Sequence, residues 1–157
     1  LPFCDGRRNQ STYPPDVHRL RSEVKAADGL ILGTPEYHGS LSGVLKNALD
    51  LMGFDEFEGK MIGLVGVAGG GAGAYNSLNT LRTIGRSLHA WVIPDQVSIP
   101  GAHRHFDATG NITDEDLRDR LHGVGRNTAR FSFLHSSREA REFVEMWEQA
   151  PSNPGAI

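Results

Sequence analysis

Thr34-Pro-Glu-Tyr-His-Gly-Ser-Leu-Ser-Gly-Val-Leu-Lys-Asn-Ala-Leu-Asp50 follows directly on the apolar run Leu30-Ile-Leu32, and the fold is decided by how this junction is read. An apolar run that empties into a Pro/Gly/Ser loop and recovers at once into a helix has the order of a strand-loop-helix unit in an open α/β layer. In such sheets ligands sit at the carboxyl ends of the strands, where the loops leave for the helices. The Thr34 to Ser40 loop is expected there. Pro35 restricts both itself and Thr34, so the loop backbone is stiff. Stiff backbone with free N–H groups suits a flat, polar-edged heterocycle.

The elements on either side extend the pattern. Upstream, Pro14 and Pro15 suit a first helical turn, and Val17, Leu20, Val24 and Ala27 recur at helical spacing until Asp28-Gly29. Downstream, Ser42 to Met52 reads as a helix with Lys46 and Asp50 at i and i+4. Met61-Ile-Gly-Leu-Val-Gly-Val67 then reads, like Leu30 to Leu32, as a strand apolar on both faces, the mark of a parallel sheet covered by helices. Tyr75, Leu78, Leu81, Ile84 and Leu88 line another helix, and His89-Ala-Trp-Val-Ile-Pro94 supplies a third short strand. Past Pro100 a polar loop, Gly101 to Gly110, precedes Thr113-Asp-Glu-Asp116, a capping-box-like start for a helix carrying Leu117, Leu121 and Val124. Arg138 to Gln149 is helical again. One domain is expected over residues 1–150, with 151–157 as a flexible tail.

Composition narrows the class. With 157 residues, 38% apolar and 22% charged, the chain suits one globular domain with a real core. Its formal net charge is −3 and its 16 Lys and Arg are scattered, which provides no dense positive field for nucleic acid or an anionic membrane. A small-molecule partner is the expectation. Cys4 is the single cysteine, so no internal disulfide framework is expected, and a reduced cytoplasmic protein follows.

Taken together, Thr34-Pro-Glu-Tyr-His-Gly-Ser40, followed by Gly43, Lys46-Asn47 and Asp50, resembles the signature of the NADPH-dependent FMN reductase family, which includes quinone, azo-dye and chromate reductases. The similarity extends through Met61 to Arg82 and on to about Pro100. It implies a flavodoxin-like three-layer α/β/α fold with a parallel sheet. It also implies that Pro35, Glu36, Tyr37 and His38 wrap one edge and face of an FMN ring, largely through backbone amides, with Gly39 and Ser40 closing the turn. Ala68, Gly69, Gly70 and Gly71 would approach the other edge, where side chains would be in the way. Hydride would pass from NADPH to the flavin and electrons onward to a quinone, free flavin or similar acceptor. A homo-dimer or homo-tetramer is implied, and Lys46 with Asp50 is either a solvated helix pair or part of that contact. No side chain is assigned as catalytic acid or base.

Other readings compete at particular residues. Gly69-Gly-Gly71-Ala-Gly-Ala74, with Asp95 at the end of the next strand, fits a dinucleotide fingerprint, although a strand, loop and helix precede it. Arg7-Arg8 and Arg82 are candidates for a ribose phosphate. His103-Arg-His105 with Asp107 reads as a surface loop, lacking tetrahedral or facial ligand spacing, and His103 is retained as a candidate for substrate contact. Cys4 lacks an evident base. A flavodoxin-like electron carrier is expected to be more acidic than −3. A non-catalytic interaction protein on the same fold would bind no flavin.

One departure matters. The resemblance implies a first strand and a loop that holds the FMN phosphate at a helix N-terminus, and both lack a counterpart here. Leu1 to Asp5 corresponds instead to the region after the family's second strand. An intact protein is expected to carry about 40 further residues at its start, one strand-helix-strand unit. Without them, the Leu30 to Leu32 strand is expected to have an open apolar edge.

Overall fold

A computed structural model describes residues 1–150 of the chain, and the expected tail at 151–157 lies outside the described residues. After a 3-10 turn at Gln10–Thr12 the elements run α1 (Pro15–Ala26), β1 (Gly29–Tyr37), β2 (Ser40–Leu41), α2 (Gly43–Asp50), α3 (Phe54–Phe57), β3 (Met61–Val67), α4 (Tyr75–Ser87), β4 (Trp91–Ile99), α5 (Glu115–Ser136) and α6 (Arg138–Glu148), with a second 3-10 turn at Ala102–Arg104 before α5. The strands form one sheet in the order β2-β1-β3-β4. β1 and β4 both run parallel to β3, while β2 folds back antiparallel on the end of β1.

Alternation along β3 explains the layers. Ile62 and Leu64 face one way and pack with Leu78 and Leu81 of α4, Leu49 of α2 and Phe57 of α3. Val65 and Val67 face the other way and pack with Val97 and Ile99 of β4 and Leu117 and Val124 of α5. A strand buried on both faces reads as a continuous apolar run, which is why Met61 to Val67 was legible. Its glycines mark close approach. A Cβ on Gly63 would lie 2.4 Å from the Thr128 Oγ1 and 2.8 Å from Val124 Cγ1 of α5. A Cβ on Gly66 would lie 2.7 Å from the Ala74 Cβ at the entrance to α4.

Two strands run further than the residues suggest. β4 continues past Pro94 to Ile99 because the ladder is irregular there: Ile62 faces Val92 and Leu64 faces Gln96, so Ile93 to Asp95 oppose Gly63 alone. A proline is tolerated where the ladder is already broken. β1 likewise continues from Leu32 to Tyr37 and pairs with β3 up to Pro35 opposite Val67. It is also less covered than a two-faced buried strand, since Ile31 is 54% exposed. Among the described residues β1 has no strand partner on its second edge before Glu36.

Helix ends follow their caps. Pro15 opens α1, the Ser42 hydroxyl accepts the Leu45 N–H at the start of α2, and the Asp114 carboxylate, rather than Thr113, accepts the Leu117 N–H at the start of α5. No helix among the described residues is long and apolar enough to cross a membrane.

Candidate functional site

The carboxyl ends of β1, β3 and β4 lie side by side, and three chain segments leave there. The first is not the open loop expected from Thr34 to Ser40. Thr34 to Tyr37 remain strand, and the chain reverses through His38 and Gly39 so that Tyr37 pairs with Ser40 and Glu36 with Leu41. His38 has φ of 52° and Gly39 of 78°. Two successive left-handed residues are what a two-residue type I′ hairpin requires, because that turn matches the twist of its strands. Glycine supplies this freely and histidine does so at a penalty. Buried Thr34 ties the hairpin to α2, its hydroxyl accepting the Ser42 N–H at 3.0 Å.

The second segment is the glycine loop after β3. The Ala68 N–H donates to the Ile99 carbonyl at 2.9 Å, fixing the loop's start. Among the described residues the N–H groups of Gly69, Gly70 and Gly71 donate to no protein acceptor. A Cβ added at any of the three would meet nothing within 4 Å. Free backbone donors with open space beside them make a concavity suited to electron-rich polar atoms.

The third segment follows β4 and was only partly anticipated. The Gly101 N–H donates to the Gly70 carbonyl at 2.9 Å and the Ala102 N–H to the Ala68 carbonyl at 3.0 Å, so this turn braces the glycine loop. His103 sits on the turn and is exposed. His105 and Asp107 serve the local structure instead. The His105 Nδ1 lies 3.0 Å from an Asp114 oxygen, and Asp107 accepts from the hydroxyl of Thr109 and the N–H groups of Thr109 and Asn111.

A carboxylate joins the first segment to the helix that follows the second. Glu36 on β1 reaches the first turn of α4, accepting the Ser77 N–H at 3.0 Å and the Asn76 side-chain amide at 3.5 Å. Ala74, at the N-cap position of α4, offers no side-chain cap of its own. Glu36 therefore does for α4 what a capping Asp or Ser does locally, with its negative charge at the positive end of the helix. Ser98 of β4 completes the junction, its hydroxyl accepting the Ala74 N–H at 2.8 Å. Neither Ser77, Asn76 nor Ser98 was singled out from the sequence, because no local pattern joins them to Glu36.

These contacts decide several of the competing readings. A dinucleotide fingerprint needs its pyrophosphate at the N-terminus of the following helix, and in α4 that position holds the Glu36 carboxylate. Asp95 accepts from the Asn127 amide at 3.0 Å and is committed there. Arg82 is spent on Gln96 and the carbonyls of Ile93 and Pro94, and Arg7 on Asp5 and Thr12. Cys4 is held structurally, its thiol donating to the Asp50 carbonyl at 3.1 Å and its N–H to Asn47 at 2.8 Å. Lys46 and Asp50 form the i, i+4 pair at 2.7 Å, roughly half exposed.

The residues present fit the ring of FMN better than its phosphate. The hairpin and the glycine loop offer backbone and open space at one end of the sheet. The N-termini of α2, α4 and α5 are each occupied by a side chain, Ser42, Glu36 and Asp114, so none of them is free for an anion. Of the candidate residues, Pro35 and Ser40 are strand, Glu36 is a helix cap, His38 and Gly39 form the turn, Tyr37 is 63% exposed, and Ala68 to Gly71 form the glycine loop after β3.

Comparison with known proteins gives the family. The family model described as NADPH-dependent FMN reductase matches residues 1–104. A protein named NADPH azoreductase from Bacillus sp. (strain OY1-2) is 40% identical over 124 residues, 79% of this chain and 67% of its own length. An FMN-dependent NADPH-azoreductase of Staphylococcus aureus is 49% identical over 106 residues, 65% of this chain and 56% of its own. The chain thus spans between about half and two thirds of the length of these curated relatives. Among solved structures, the Paracoccus denitrificans flavoenzyme NAD(P)H:(acceptor) oxidoreductase FerB superposes with a TM-score of 0.64 at 26% identity, over 86% of this chain and 76% of that one. The fold is flavodoxin-like, and this chain belongs to the NADPH-dependent FMN reductase family.

Proposed function

We propose that this chain is the flavin-holding part of an NADPH-dependent oxidoreductase that reduces a small acceptor, such as a quinone, an azo compound or free flavin, through noncovalently bound FMN. The observation that supports this most is the glycine loop with its unpaired N–H groups and open space, leaving the carboxyl end of β3 where ligands of such folds sit, with the His38-Gly39 turn leaving the same end of β1. When bound, the flavin accepts hydride and delivers electrons onward. The chain binds and orients it. The N–H groups of Gly69 to Gly71 would hold the ring's polar edge and would favour electron density there, while Tyr37, with Phe3 and Val44 beside it, would supply an apolar wall for a planar acceptor. The reading includes a homo-oligomer and a cytoplasmic setting, the latter supported by a single cysteine held as a thiol.

A fluorescence titration of FMN and of riboflavin with this chain tests it. Both flavins are expected to be quenched with affinities within about three-fold, since the occupied helix ends leave the phosphate little to gain. A chain that quenches neither flavin overturns the reading, and steady NADPH oxidation with FMN and a quinone separates a reductase from an electron carrier.

A further inference from the structure

We infer that Asn47 is a positioning residue for the electron acceptor. Its side-chain amide holds Pro2 to Cys4 against α2 so that Phe3 closes an apolar pocket beside Tyr37, and this pocket takes an uncharged planar aromatic acceptor in preference to a sulfonated or carboxylated one. The inference rests on the flavin-reductase reading above and adds the acceptor's chemical class and its place. Asn47 lies in the second turn of α2, and both ends of its amide are engaged. The Cys4 N–H donates to its Oδ1 at 2.8 Å, and its Nδ2 donates to the Pro2 carbonyl at 2.8 Å. Those two backbone groups flank Phe3. Further along, the Cys4 thiol donates to the Asp50 carbonyl at 3.1 Å, and Asp5 accepts from the Arg7 guanidinium and the Tyr13 hydroxyl. Burial does not explain why the chain is held there, since Phe3 is 87% exposed and has gained little from leaving water. Hydrogen bonds on either side of it fix its place instead.

Leu1, Phe3, Tyr37, Ser42, Val44 and Asn47 line a cavity of about 550 Å³. That volume suits a small aromatic molecule. The side chains decide its chemistry. None of these lining residues carries a charged side chain, and Lys46 and Asp50 on the same helix are paired with each other at 2.7 Å. A sulfonate or carboxylate entering the cavity would lose its water and find no counter-ion. The Asn47 amide is committed to Pro2 and Cys4, and the Ser42 hydroxyl caps α2 by accepting the Leu45 N–H. The Tyr37 hydroxyl has no protein partner among the described residues and is left to donate to a quinone oxygen or an azo nitrogen. Tyr37 directly precedes the His38-Gly39 turn, so the cavity adjoins the hairpin read above as part of the flavin site.

Equilibrium dialysis of trans-azobenzene and of azobenzene-4-sulfonate against the chain, with and without saturating FMN, tests the proposal, and circular dichroism checks the fold of each variant. Azobenzene is expected to bind about ten-fold or more tightly than its sulfonate. Phe3→Ala and Asn47→Ala should each weaken azobenzene binding roughly five-fold. Because Asn47 acts through Phe3, the double variant should lose no more than about two-fold beyond either single one, whereas independent losses would multiply to roughly twenty-five-fold. With NADPH and FMN supplied, Asn47→Ala should raise KM for azobenzene while kcat falls by less than about two-fold, which a general loosening of the flavin site would not do. No measurable azobenzene binding, equal binding of the sulfonate, a Phe3→Ala variant that binds like the parent, or losses that multiply overturns the proposal, and FMN quenching that persists in those cases leaves the flavin reading standing. A parent chain that does not quench FMN overturns the flavin reading, and this inference with it.

Discussion

The Glu36 carboxylate crosses from β1 to the first turn of α4, where it takes the place of a local cap. Glu36→Gln keeps the shape and removes the charge, and loss of a charged cap is expected to lower stability by about 1 kcal/mol, or 2–4 °C in thermal unfolding for a chain of this size. The same variant is expected to weaken FMN quenching several-fold, because β1 beside the hairpin loses its tie to the first turn of α4. An unchanged melting curve would show that the contact contributes nothing. Asp107 offers a pH test. Its carboxyl is held down to about 2, from an ordinary 3.8, chiefly by the Thr109 hydroxyl and then by the Asn111 N–H. A depressed carboxylate stabilises above its unfolded value and loses that contribution as pH falls through the folded one. The turn from Asp107 to Asn111 is therefore expected to be ordered above about pH 4 and to loosen between pH 3.8 and about 2. Amide exchange at Thr109 and Asn111 reads this directly, and Asp107→Asn should remove the pH dependence.

Among the elements, α5 depends most on small residues opposite it. Gly29 and Gly63 let it approach β1 and β3, and Thr128 and Ser132 face those glycines with their hydroxyls donating to the Val124 and Thr128 carbonyls one turn back. Small against small brings the helix close, and the back-bonding satisfies both buried hydroxyls. Gly63→Ala places a methyl 2.4 Å from the Thr128 Oγ1 on a helix packed along its length, so a loss of about 1–3 kcal/mol is expected in denaturant unfolding. A neutral outcome would mean that α5 shifts outward freely. α4 and α2 were legible from their apolar spacing and from Ser42, because those signals are local. The two strand ends were not, since β1 runs on through Pro35 only because β3 lies beside it, and β4 passes Pro94 only because its ladder is irregular there.

At the scale of the molecule, the carboxyl ends of the strands lie on one side, and the edge of β1 before Glu36 has no strand partner among the described residues. Ile31 lies on that edge, 54% exposed, beside a groove lined by Gly125, Ala129 and Phe133 of α5. An exposed apolar edge strand is a template for further pairing, and a lysine there blocks it. Ile31→Lys is expected to reduce aggregation on heating, read by light scattering, while changing unfolding free energy by less than about 1 kcal/mol. Aggregation that continues unchanged would place its origin elsewhere. The open α/β order and the flavodoxin-like family were determined by the sequence alone. Each rests on local apolar periodicity, on turn residues and on an ordered motif, which a chain carries whether or not it is folded. Only the tertiary structure decided that the Thr34 to Ser40 segment is a hairpin, that Glu36 caps a helix beginning some forty residues later, and that the turn after β4 braces the glycine loop. Those are hydrogen bonds between groups far apart in sequence, and their partners are chosen by which strand ends the sheet brings together.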